Sequence, residues 1–505
     1  MDQRFVAEIK QELTKSDGGD IGYVAYLSAL GLINDVDPVI SRSIVNELDD
    51  QRSNLKMIAS ENYCSLAVQL AQANLLTDKY AEGFPFHRFY AGCENVDQIE
   101  GRAAELACEL YEADHAYVQP HSGADANLIA YWAILAARIQ DKFVLNKGKK
   151  DISNLSDEEW KELRVTFGNQ KLLAMNYYSG GHLTHGYRHN FSSRMFECES
   201  YDVRQDTNLI DYDQVRDKAK SFKPLILLAG YSAYSRKINF RIFKEIADEV
   251  GAVLMVDMAH FSGLVAGKVF AEEYNPVNYA DIVTSTTHKT LRGPRGGMIL
   301  CKNDYADYVD KGCPLVIGGP LPHVMAAKAV AFSEANSESF VNYAHKIVEN
   351  AKVLAETCIQ NGLNVLTGGT DNHLLLINVG GLGLTGRMSE KAVRDAGITL
   401  NRNSIPFDPN GAWYTSGLRI GTPATTTLGM GVGEMKKIGE VLSNILSNMV
   451  PSKITKGANA GKLSKANYIL DQSILEKARE EVKSLLDKYP VYPGINVDFL
   501  KNICE

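Results

Sequence analysis

The sequence predicts an α/β fold, in which a mostly parallel sheet is wrapped by helices and followed by a smaller α+β region. Between residues 60 and about 325, short apolar runs alternate with longer amphipathic stretches, which is the pattern of buried strands joined by crossover helices. Beyond that point a long helical stretch at 324–361 replaces the alternation. The predicted strands are residues 115–118, 172–175, 225–228, 253–256, 282–284 and 298–300 in the main sheet, and 364–366, 373–379 and 398–401 in the smaller region.

The composition is that of a globular protein with two or three domains. The chain has 505 residues, of which 45% are hydrophobic and 23% are charged. Its net charge of −8 argues against nonspecific binding to nucleic acid or to anionic membranes as the main role. Eight scattered cysteines without a Cys-x-x-Cys pair indicate reduced thiols. Charges interrupt the first ten residues and no apolar run is long enough to span a membrane, so a cytoplasmic protein is expected.

Two ionisable residues each follow a short apolar run. Asp257 comes directly after the run at 253–256, and Lys289 lies shortly after the run at 282–284. Ligands of open α/β sheets bind outside the carboxyl ends of the strands. A lysine forms Schiff bases with carbonyls when its amine is partly neutral, and positive charge on Arg292, Arg295 and His288 is expected to lower its pKa. Either residue alone has an ordinary structural explanation, but together they indicate pyridoxal phosphate, which needs such a lysine and an acid for its ring nitrogen.

A second segment has the features of a phosphate site. Ser122 and Gly123 follow the strand predicted at 115–118 and open an apolar helical run. Free backbone amides at a helix N-terminus bind phosphate, and glycine allows a close approach of the backbone. An ordinary helix cap explains Ser122 equally well when it is considered alone. The downstream lysine and aspartate favour the phosphate site.

Three further motifs allow more than one interpretation. His182 and His185 have a spacing that suits zinc ligands on a helix, although the flanking glycines favour a ring stacked on a flat cofactor instead. Arg419 lies in a turn-rich segment, where it is either a surface residue or a carboxylate-binding group. Glu82 lies in an aromatic Gly/Pro-rich loop, which suits either packing or proton transfer.

The G-x-G-x-x-G run at residues 381–386 follows a predicted strand but does not predict a dinucleotide site. That fingerprint requires an acidic residue about twenty positions further on, at the end of the next strand. Asp408 has the required spacing, but it lies well beyond the strand predicted to end near Asn401. Glycine turns after a strand are a sufficient explanation of the run.

In this order, these elements resemble the serine hydroxymethyltransferase family, over residues of about 55–450. The departures from the usual family pattern include Ala124-Asp125 in place of Ser-Gln and Phe89 in place of a tyrosine. With these departures the sequence resembles the chlamydial branch of the family. The matching stretches are 58–62, 80–83, 119–123, 180–186, 232–235, 256–260, 286–297, 368–373 and 415–424.

The resemblance implies a fold-type I pyridoxal-phosphate enzyme with a seven-stranded, mostly parallel sheet in its large domain. The changes of pattern along the chain predict an N-terminal helical arm at 1–59, a large domain at 60–325, to which the resemblance assigns the cofactor, and a small C-terminal domain at 326–505. An insertion at 138–171 is predicted to contain a short surface helix, because Ser156 and Glu159 fit a capping box. The polar, basic segment at 452–467 is predicted to be a mobile loop.

The resemblance also assigns roles to individual positions, with a homodimer as the minimal active unit and active sites at the subunit interface. The implied catalytic residues are Lys289 as the Schiff-base lysine, Glu82 as the proton-transfer acid, His288 and Asp257. The implied cofactor-binding residues are Ser122, Gly123, His182, Ser232, Asp257, His260, His288 and Lys289, with Gly318 and Gly319 contributed by the second subunit. The implied substrate-binding residues are Ser60, Tyr80, Tyr90, Arg295 and Arg419, and the implied folate-binding residues are Glu82, Leu183 and Asn403.

The implied reaction is the reversible conversion of L-serine and tetrahydrofolate to glycine and 5,10-methylenetetrahydrofolate. Tetrahydrofolate is therefore an implied co-substrate, and no metal is expected. Two alternatives remain at this point. A racemase or aldolase would use the same cofactor without folate, and a binding or regulatory module would retain the fold without the chemistry. Intact Lys289, Asp257 and Arg419 argue against the second alternative.

Overall fold

The computed structural model describes residues 3–15 and 20–504, and its central feature is a seven-stranded sheet. The strand Gly297–Cys301 is antiparallel to both of its neighbours, and the other neighbouring pairs in the sheet are parallel. The predicted α/β class with a mostly parallel sheet is therefore confirmed. In spatial order the strands are His115–Tyr117, Gly297–Cys301, Ile282–Thr286, Val253–Asp257, Ile226–Gly230, Lys171–Met175 and Glu197–Tyr201.

The sheet forms because its strands bury apolar side chains on both faces. Along Val253–Asp257, Leu254 and Val256 belong to the hydrophobic cluster on one face, and Val253 and Met255 belong to the cluster on the other. Successive side chains of a strand point to opposite faces, so a continuous apolar run is the expected signature of a strand covered on both sides. Helices Glu94–Tyr111 and Phe240–Val250 cover the first face, and Gly123–Leu135 covers the second.

The strand Glu197–Tyr201 was not predicted from the sequence. Exposed and half-buried residues alternate along this strand, and only its last residue, Tyr201, is buried. The strand lies at the edge of the sheet and pairs only with Lys171–Met175. Edge strands keep one side open to solvent and carry charged residues, so this strand lacks the apolar run by which its neighbours were recognised.

The smaller sheet is four-stranded and antiparallel. Its order is Asn364–Val365, Leu374–Asn378, Gly417–Gly421 and Asn401–Asn403. The interpretation of the segment around Arg419 as turn-rich is wrong, because Gly417–Gly421 is an inner strand of this sheet. The flanking glycines concealed it: Gly421 has to be small, since an added Cβ would lie 2.4 Å from the Ala59 Cα.

Several predicted segments differ from the structure in detail. The helical stretch at 324–361 is two helices, Pro322–Ala335 and Glu338–Gln360, and the second begins at the side-chain cap of Ser337. The first of these helices crosses the predicted domain boundary at 325. The segment 452–467, predicted as a mobile loop, is partly strand: Val450–Lys453 and Leu463–Ile469 form an antiparallel pair, and residues 454–462 connect them.

The N-terminal segment is helical where the structure describes it. The predicted arm includes residues 1, 2 and 16–19, which lie outside the described residues, as does residue 505 of the predicted C-terminal domain. Phe5, Leu27 and Val45 pack with Leu500 and Ile503 in one apolar cluster. The two ends of the described chain therefore stabilise each other.

The insertion at 138–171 contains the predicted capped helix, Asp157–Gly168. The Glu159 amide donates to Ser156 Oγ over 3.3 Å, and the Ser156 amide donates to the Glu159 carboxylate over 2.8 Å. This reciprocal pair is the capping box predicted from the sequence.

Among the described residues, no helix is long and apolar enough to cross a membrane.

The remaining strands are Leu55–Lys56 with Ile398–Thr399 in a parallel pair, and Gly83–Phe84 with His87–Arg88 in an antiparallel pair. The α-helices are Gln3–Leu13, Ile21–Val36, Pro38–Ser53, Leu66–Leu70, Glu94–Tyr111, Gly123–Leu135, Asp141–Asn146, Asp157–Gly168, Ser192–Met195, Tyr212–Phe222, Phe240–Val250, Ser262–Ala266, Asn303–Asp310, Gly312–Leu315, Pro322–Ala335, Glu338–Gln360, Gly386–Asp395, Gly411–Tyr414, Pro423–Thr427, Val432–Asn448, Gln472–Lys488 and Val497–Cys504.

Candidate active site

A cavity of about 430 Å³ lies at the carboxyl ends of the parallel strands. The strand Val253–Asp257 ends at its wall, and Ile282–Thr286 leads into it through His288 and Lys289. This is the position that open α/β sheets give to ligands. The predicted site residues that line the cavity are Ser60, Ser122, Gly123, His182, Ser232, Asp257, His260, His288, Lys289, Arg295 and Arg419.

Lys289 is buried in this cavity with an amine that is easily deprotonated. Burial is the main reason that the pKa of Lys289 falls to about 8; Asp257 opposes the shift, and Arg419 and Arg295 add to it. The sequence analysis attributed the shift to flanking charge, including Arg292. The Arg292 guanidinium instead lies over the Tyr343 ring, 4.6 Å from its centroid.

His288 does not supply the positive charge that the sequence analysis expected beside Lys289. Burial, and then the charge of Arg295, lower the pKa of His288 to about 3, so its ring is neutral at pH 7. The His288 Nδ1 accepts a hydrogen bond from the Gly296 amide over 3.4 Å. Its neutral ring can still act as a hydrogen-bond donor through the other nitrogen.

Asp257 is buried but is held as a carboxylate. Burial alone would raise the pKa of Asp257, but hydrogen bonds from His185 and Asn127 outweigh it and keep that pKa below its usual range. Asn127 Nδ2 lies 2.9 Å and His185 Nε2 lies 3.0 Å from the same carboxylate oxygen. The other carboxylate oxygen accepts the Ala259 amide over 3.0 Å. Asp257 is thus an oriented anion at the end of a strand.

The zinc alternative does not fit the hydrogen bonds of His185. Ligand atoms of His182, His185 and Asp257 lie within 4.8 Å of one another, as a metal site requires. However, the His182 amide donates to His185 Nδ1 over 3.2 Å, which places the ring proton on Nε2. That nitrogen donates to Asp257 and has no lone pair for a metal.

His182 presents a neutral ring to the cavity. Burial, and then the nearby His185, lower the pKa of His182 to about 4. Its Nδ1 lies 2.8 Å from Thr184 Oγ1, which fixes the ring orientation. A neutral, oriented imidazole suits stacking against a planar cofactor ring.

The N-terminus of helix Gly123–Leu135 also borders the cavity, through Ser122 and Gly123. Ser122 caps this helix, with its Oγ accepting the Asp125 amide over 3.2 Å and donating to the Asp125 carboxylate over 3.0 Å. The helix carries partial positive charge at this end. This helix end suits the phosphate of a pyridine cofactor, and the Asp257 carboxylate suits its ring nitrogen.

Arg419 is half-buried, and its guanidinium has no carboxylate partner among the described residues. Its guanidinium donates to Asn401 Oδ1 over 3.1 Å and to the Ser232 carbonyl and hydroxyl over 2.8 and 3.0 Å. Burial lowers the pKa of Arg419 to about 10. A desolvated guanidinium is costly without an anion, so its presence in the cavity indicates an anionic ligand such as an amino-acid carboxylate.

Five predicted residues do not line this cavity within one chain. Tyr80 and Tyr90 contact each other edge to face, with ring centroids 5.0 Å apart, and a Cβ added to Gly319 would lie 3.3 Å from Tyr80. Glu82 is close enough to Tyr80 to raise the pKa of that phenol. With Gly318 next in the chain, these residues form a separate surface cluster.

The two positions predicted only for folate also lie outside the cavity lining. Leu183 follows His182 and is 41% exposed, so it is accessible at the rim. Asn403 ends the edge strand Asn401–Asn403, two residues beyond the Asn401 side chain that holds Arg419. Both positions are therefore close in sequence to a residue that lines the cavity or contacts its lining.

Two supporting residues, Asn127 and His185, were missed as site residues. Asn127 bridges Asp257 and Thr184, and it accepts a hydrogen bond from Thr284 over 2.6 Å. Asn127 lies one helical turn beyond Gly123, and His185 three residues beyond His182, so spacing was the available signal. Asp257, which both residues contact, is 130 positions from Asn127 and 72 from His185, and spacing alone does not reveal such a contact.

The donor set fits pyridoxal phosphate. The cavity joins a partly neutral lysine, a carboxylate for a protonated ring nitrogen, a neutral imidazole and a helix N-terminus for the phosphate. Pyridoxal-phosphate sites need these groups in one cavity.

Comparison with known proteins agrees with this geometry. A family model described as serine hydroxymethyltransferase matches residues 33–146 and 164–442, and the gap between the two segments lies inside the predicted insertion. A protein named serine hydroxymethyltransferase from Treponema pallidum (strain Nichols) is 59% identical over 479 residues, which cover 95% of this chain and 83% of the relative.

Two further relatives have the same name. The protein from Salinispora tropica (strain CNB-440) is 54% identical over 480 residues, covering 95% of this chain and 99% of its own length. The protein from Chlamydia trachomatis serovar D is 52% identical over 482 residues, covering 95% and 96%, which confirms the expected likeness to chlamydial members. The chain therefore belongs to the serine hydroxymethyltransferase family.

Proposed function

We propose that the protein transfers a one-carbon unit between serine and tetrahydrofolate. In the forward direction, L-serine and tetrahydrofolate give glycine, 5,10-methylenetetrahydrofolate and water. The observation that carries this proposal is the buried amine of Lys289, in one cavity with the ionised Asp257 and the unpaired guanidinium of Arg419. The family membership supplies the identity of the two substrates.

In this proposal residues of the cavity lining would hold pyridoxal phosphate. Asp257 would keep a proton on the ring nitrogen, and His182 would stack on the ring. Ser122, Gly123 and His288 would hold the phosphate, and His260, 3.5 Å from the Ser232 hydroxyl, would contact the ring oxygen. When bound, pyridoxal phosphate supplies an electron-withdrawing ring that stabilises negative charge at the α-carbon of an amino acid.

Lys289 and Arg419 then have distinct roles toward the amino acid. With a pKa of about 8, a substantial part of the Lys289 amine is neutral near pH 7.5 and able to act as a nucleophile. Arg419 binds the substrate carboxylate with two parallel hydrogen bonds, which fixes the orientation of the α-carbon. Ser60 and Arg295, at the rim of the cavity, contribute further polar contacts.

Proton transfer is assigned to Glu82, from the second subunit of a homodimer. The cluster of Glu82, Tyr80 and Tyr90 lies outside the Lys289 cavity of its own chain. Around it, Phe86 is 80% exposed and Leu315 is 60% exposed, a large apolar area for a free surface. A second copy that covers this surface would bring Glu82, Tyr80, Tyr90, Gly318 and Gly319 to the cavity of its neighbour.

The proposal extends to the roles of the three predicted domains and to the cellular compartment. We assign the cofactor to the large domain at 60–325, with the small domain at 326–505 contributing Arg419, and the arm at 1–59 packing outside both. We place folate near Leu183 and Asn403. All eight cysteines are free thiols, which favours the reducing cytoplasm.

The deciding experiment is an assay of glycine formation from L-serine with and without tetrahydrofolate. Strong dependence on folate is the expected result, because tetrahydrofolate accepts the one-carbon unit. Glycine formation that is equal with and without folate would instead indicate an aldolase. Alanine racemisation, measured in the same preparation, gives the size of side activity that Lys289 and Arg419 support without folate.

A further inference from the structure

Lys328 is a fully buried lysine that the proposed chemistry does not use. It lies on helix Pro322–Ala335 and is 1% exposed. Its Nζ donates to the carbonyl oxygens of Val118, Pro120 and Gly297 over 2.5, 3.0 and 2.8 Å. Three acceptors for three N–H groups are the complete set for an ammonium, so the surroundings are built for a charged lysine.

These three carbonyls belong to the two chain segments that frame the phosphate end of the cavity. Val118 and Pro120 lead from the strand His115–Tyr117 to Ser122, and Gly297 begins the neighbouring strand. The Gly297 amide also donates to the Pro120 carbonyl over 2.9 Å. A Cβ on Gly297 would lie 2.2 Å from the Ser122 carbonyl, so a shift of Gly297 would move Ser122.

Gly296, the residue before Gly297, leaves room for the Lys328 side chain. A Cβ added to Gly296 would lie 2.6 Å from Lys328 Cε and 3.0 Å from its Nζ. The Gly296 amide also donates to His288, a residue of the cavity. The lysine is therefore packed against both polypeptide segments that carry the predicted phosphate ligands.

The phosphate end also contains an acidic residue that opposes an anion. Asp125 lies in the first turn of helix Gly123–Leu135, and its carboxylate accepts the hydroxyl proton of Ser122. That carboxylate repels a phosphate and competes with it for the Ser122 proton. Burial lowers the pKa of Lys328 to about 7, and the charges of Glu100 and then Asp125 oppose this shift, so Lys328 and Asp125 are near enough to influence each other.

We propose that Lys328 is a positioning residue for the cofactor phosphate, which fixes Ser122 through the Val118, Pro120 and Gly297 carbonyls and offsets the negative charge of Asp125. This inference rests on the proposed pyridoxal-phosphate site. It predicts that Lys328 and Asp125 act with opposite sign, and only on ligands that carry the phosphate.

The test compares two ligands that differ only in that group. Full-length protein freed of cofactor is titrated with pyridoxal phosphate and with pyridoxal, and both dissociation constants are read from the visible absorbance. In Lys328→Met we expect the affinity for pyridoxal phosphate to fall about tenfold or more, with pyridoxal binding changed by less than about twofold. Lys346→Met, at an exposed position of helix Glu338–Gln360, is the control and should change neither.

The variant Asp125→Asn decides the matter if Lys328→Met does not fold. It should bind pyridoxal phosphate more tightly than the wild type, with pyridoxal binding unchanged. If Lys328→Met does fold, the double variant Lys328→Met/Asp125→Asn should regain part of the affinity that Lys328→Met loses. Equal losses for both ligands in Lys328→Met would show a purely structural lysine and overturn the inference. An unchanged ratio of the two affinities in Asp125→Asn would overturn it as well. Failure of the wild type to bind pyridoxal phosphate would instead refute the proposed function.

Discussion

At the residue scale, the chemistry of this site is set by burial. Lys289 has a lowered pKa chiefly because its ammonium is desolvated, and Arg419 for the same reason. Asp257 is equally buried, but three hydrogen bonds favour its charged form. One cavity thus contains a lysine amine that is partly neutral, an aspartate carboxylate and a guanidinium without a carboxylate partner.

The pKa of Lys289 leads to a pH dependence of cofactor attachment. Only the neutral amine is nucleophilic, and its fraction rises as the pH passes the pKa of about 8. The rate of pyridoxal-phosphate attachment to the cofactor-free protein should therefore rise between pH 7 and 9 and then level off. Stopped-flow absorbance measures this rate, with Lys289→Ala as the control that forms no covalent adduct. A midpoint near 10.5, the ordinary lysine value, would contradict the assignment.

The unpaired guanidinium of Arg419 predicts a specificity change. In Arg419→Lys the two parallel hydrogen bonds to a carboxylate are lost, so kcat/KM for serine should fall about a hundredfold. Serinamide, which has no carboxylate, should lose much less. Comparison of the two substrates in the wild type and the variant measures this discrimination, and equal losses would mean that Arg419 does not contact the carboxylate.

At the element scale, the strand Gly417–Gly421 positions both Arg419 and the segment that leads to Ser60. Gly421 packs against Ala59 so closely that there is no room for a Cβ, and its amide donates to the Met57 carbonyl over 2.8 Å. The strand was not recognised in the sequence because its glycines are required by close packing and not by a turn: Gly421 packs against Ala59, and Gly417 packs against Ile405 and Asn403.

This packing predicts the effect of one methyl group. Gly421→Ala should displace the Ala59 backbone, destabilise the protein by about 1–3 kcal/mol and raise the KM for serine. Gly433→Ala is the matched control, because an added Cβ there has nothing within 4 Å and the residue lies on the exposed side of helix Val432–Asn448. Thermal unfolding should therefore show opposite shifts, since alanine favours the helix. A stable, fully active Gly421→Ala would contradict the structure of this strand.

At the scale of the whole molecule, the proposed role of Glu82 predicts a homodimer, because Glu82 lies outside the cavity lining of its own chain. Neither Lys289→Ala nor Glu82→Gln should turn over serine with folate at a substantial rate. A mixed dimer has one site with both residues intact if Glu82 acts across the interface. If the two variants are mixed in equal amounts and their subunits exchange at random, half of the dimers are mixed. Each mixed dimer has one of its two sites intact, so the mixture should regain about a quarter of the wild-type activity.

Refolding the two inactive variants together and assaying the mixture tests this arrangement. Each variant refolded alone is the control. No recovered activity, with mixed dimers demonstrated by differential tags, would show that Glu82 acts within its own chain or has no role.

Much of this could be predicted from local sequence. The apolar runs located the inner strands of the main sheet because strands covered on both faces have no polar alternation, and they placed Asp257 and Lys289 at the same edge. The capping box of Ser156 and Glu159 is also a local signal. The edge strand Glu197–Tyr201 and the inner strand Gly417–Gly421 were missed because solvent exposure and close backbone packing removed the apolar pattern.

By itself, then, the sequence determined the α/β class, the family resemblance and the lysine and aspartate around which the site is built. Periodicity and motif spacing are patterns over a few neighbouring residues, and each of these features produces such a local pattern. Only the tertiary structure decided that His185 and Asn127 hold Asp257, that burial lowers the pKa of Lys289, and that Lys328 lies under the phosphate end. Those effects depend on which distant segments exclude water from a group and which donors reach it, and both are properties of the packed chain.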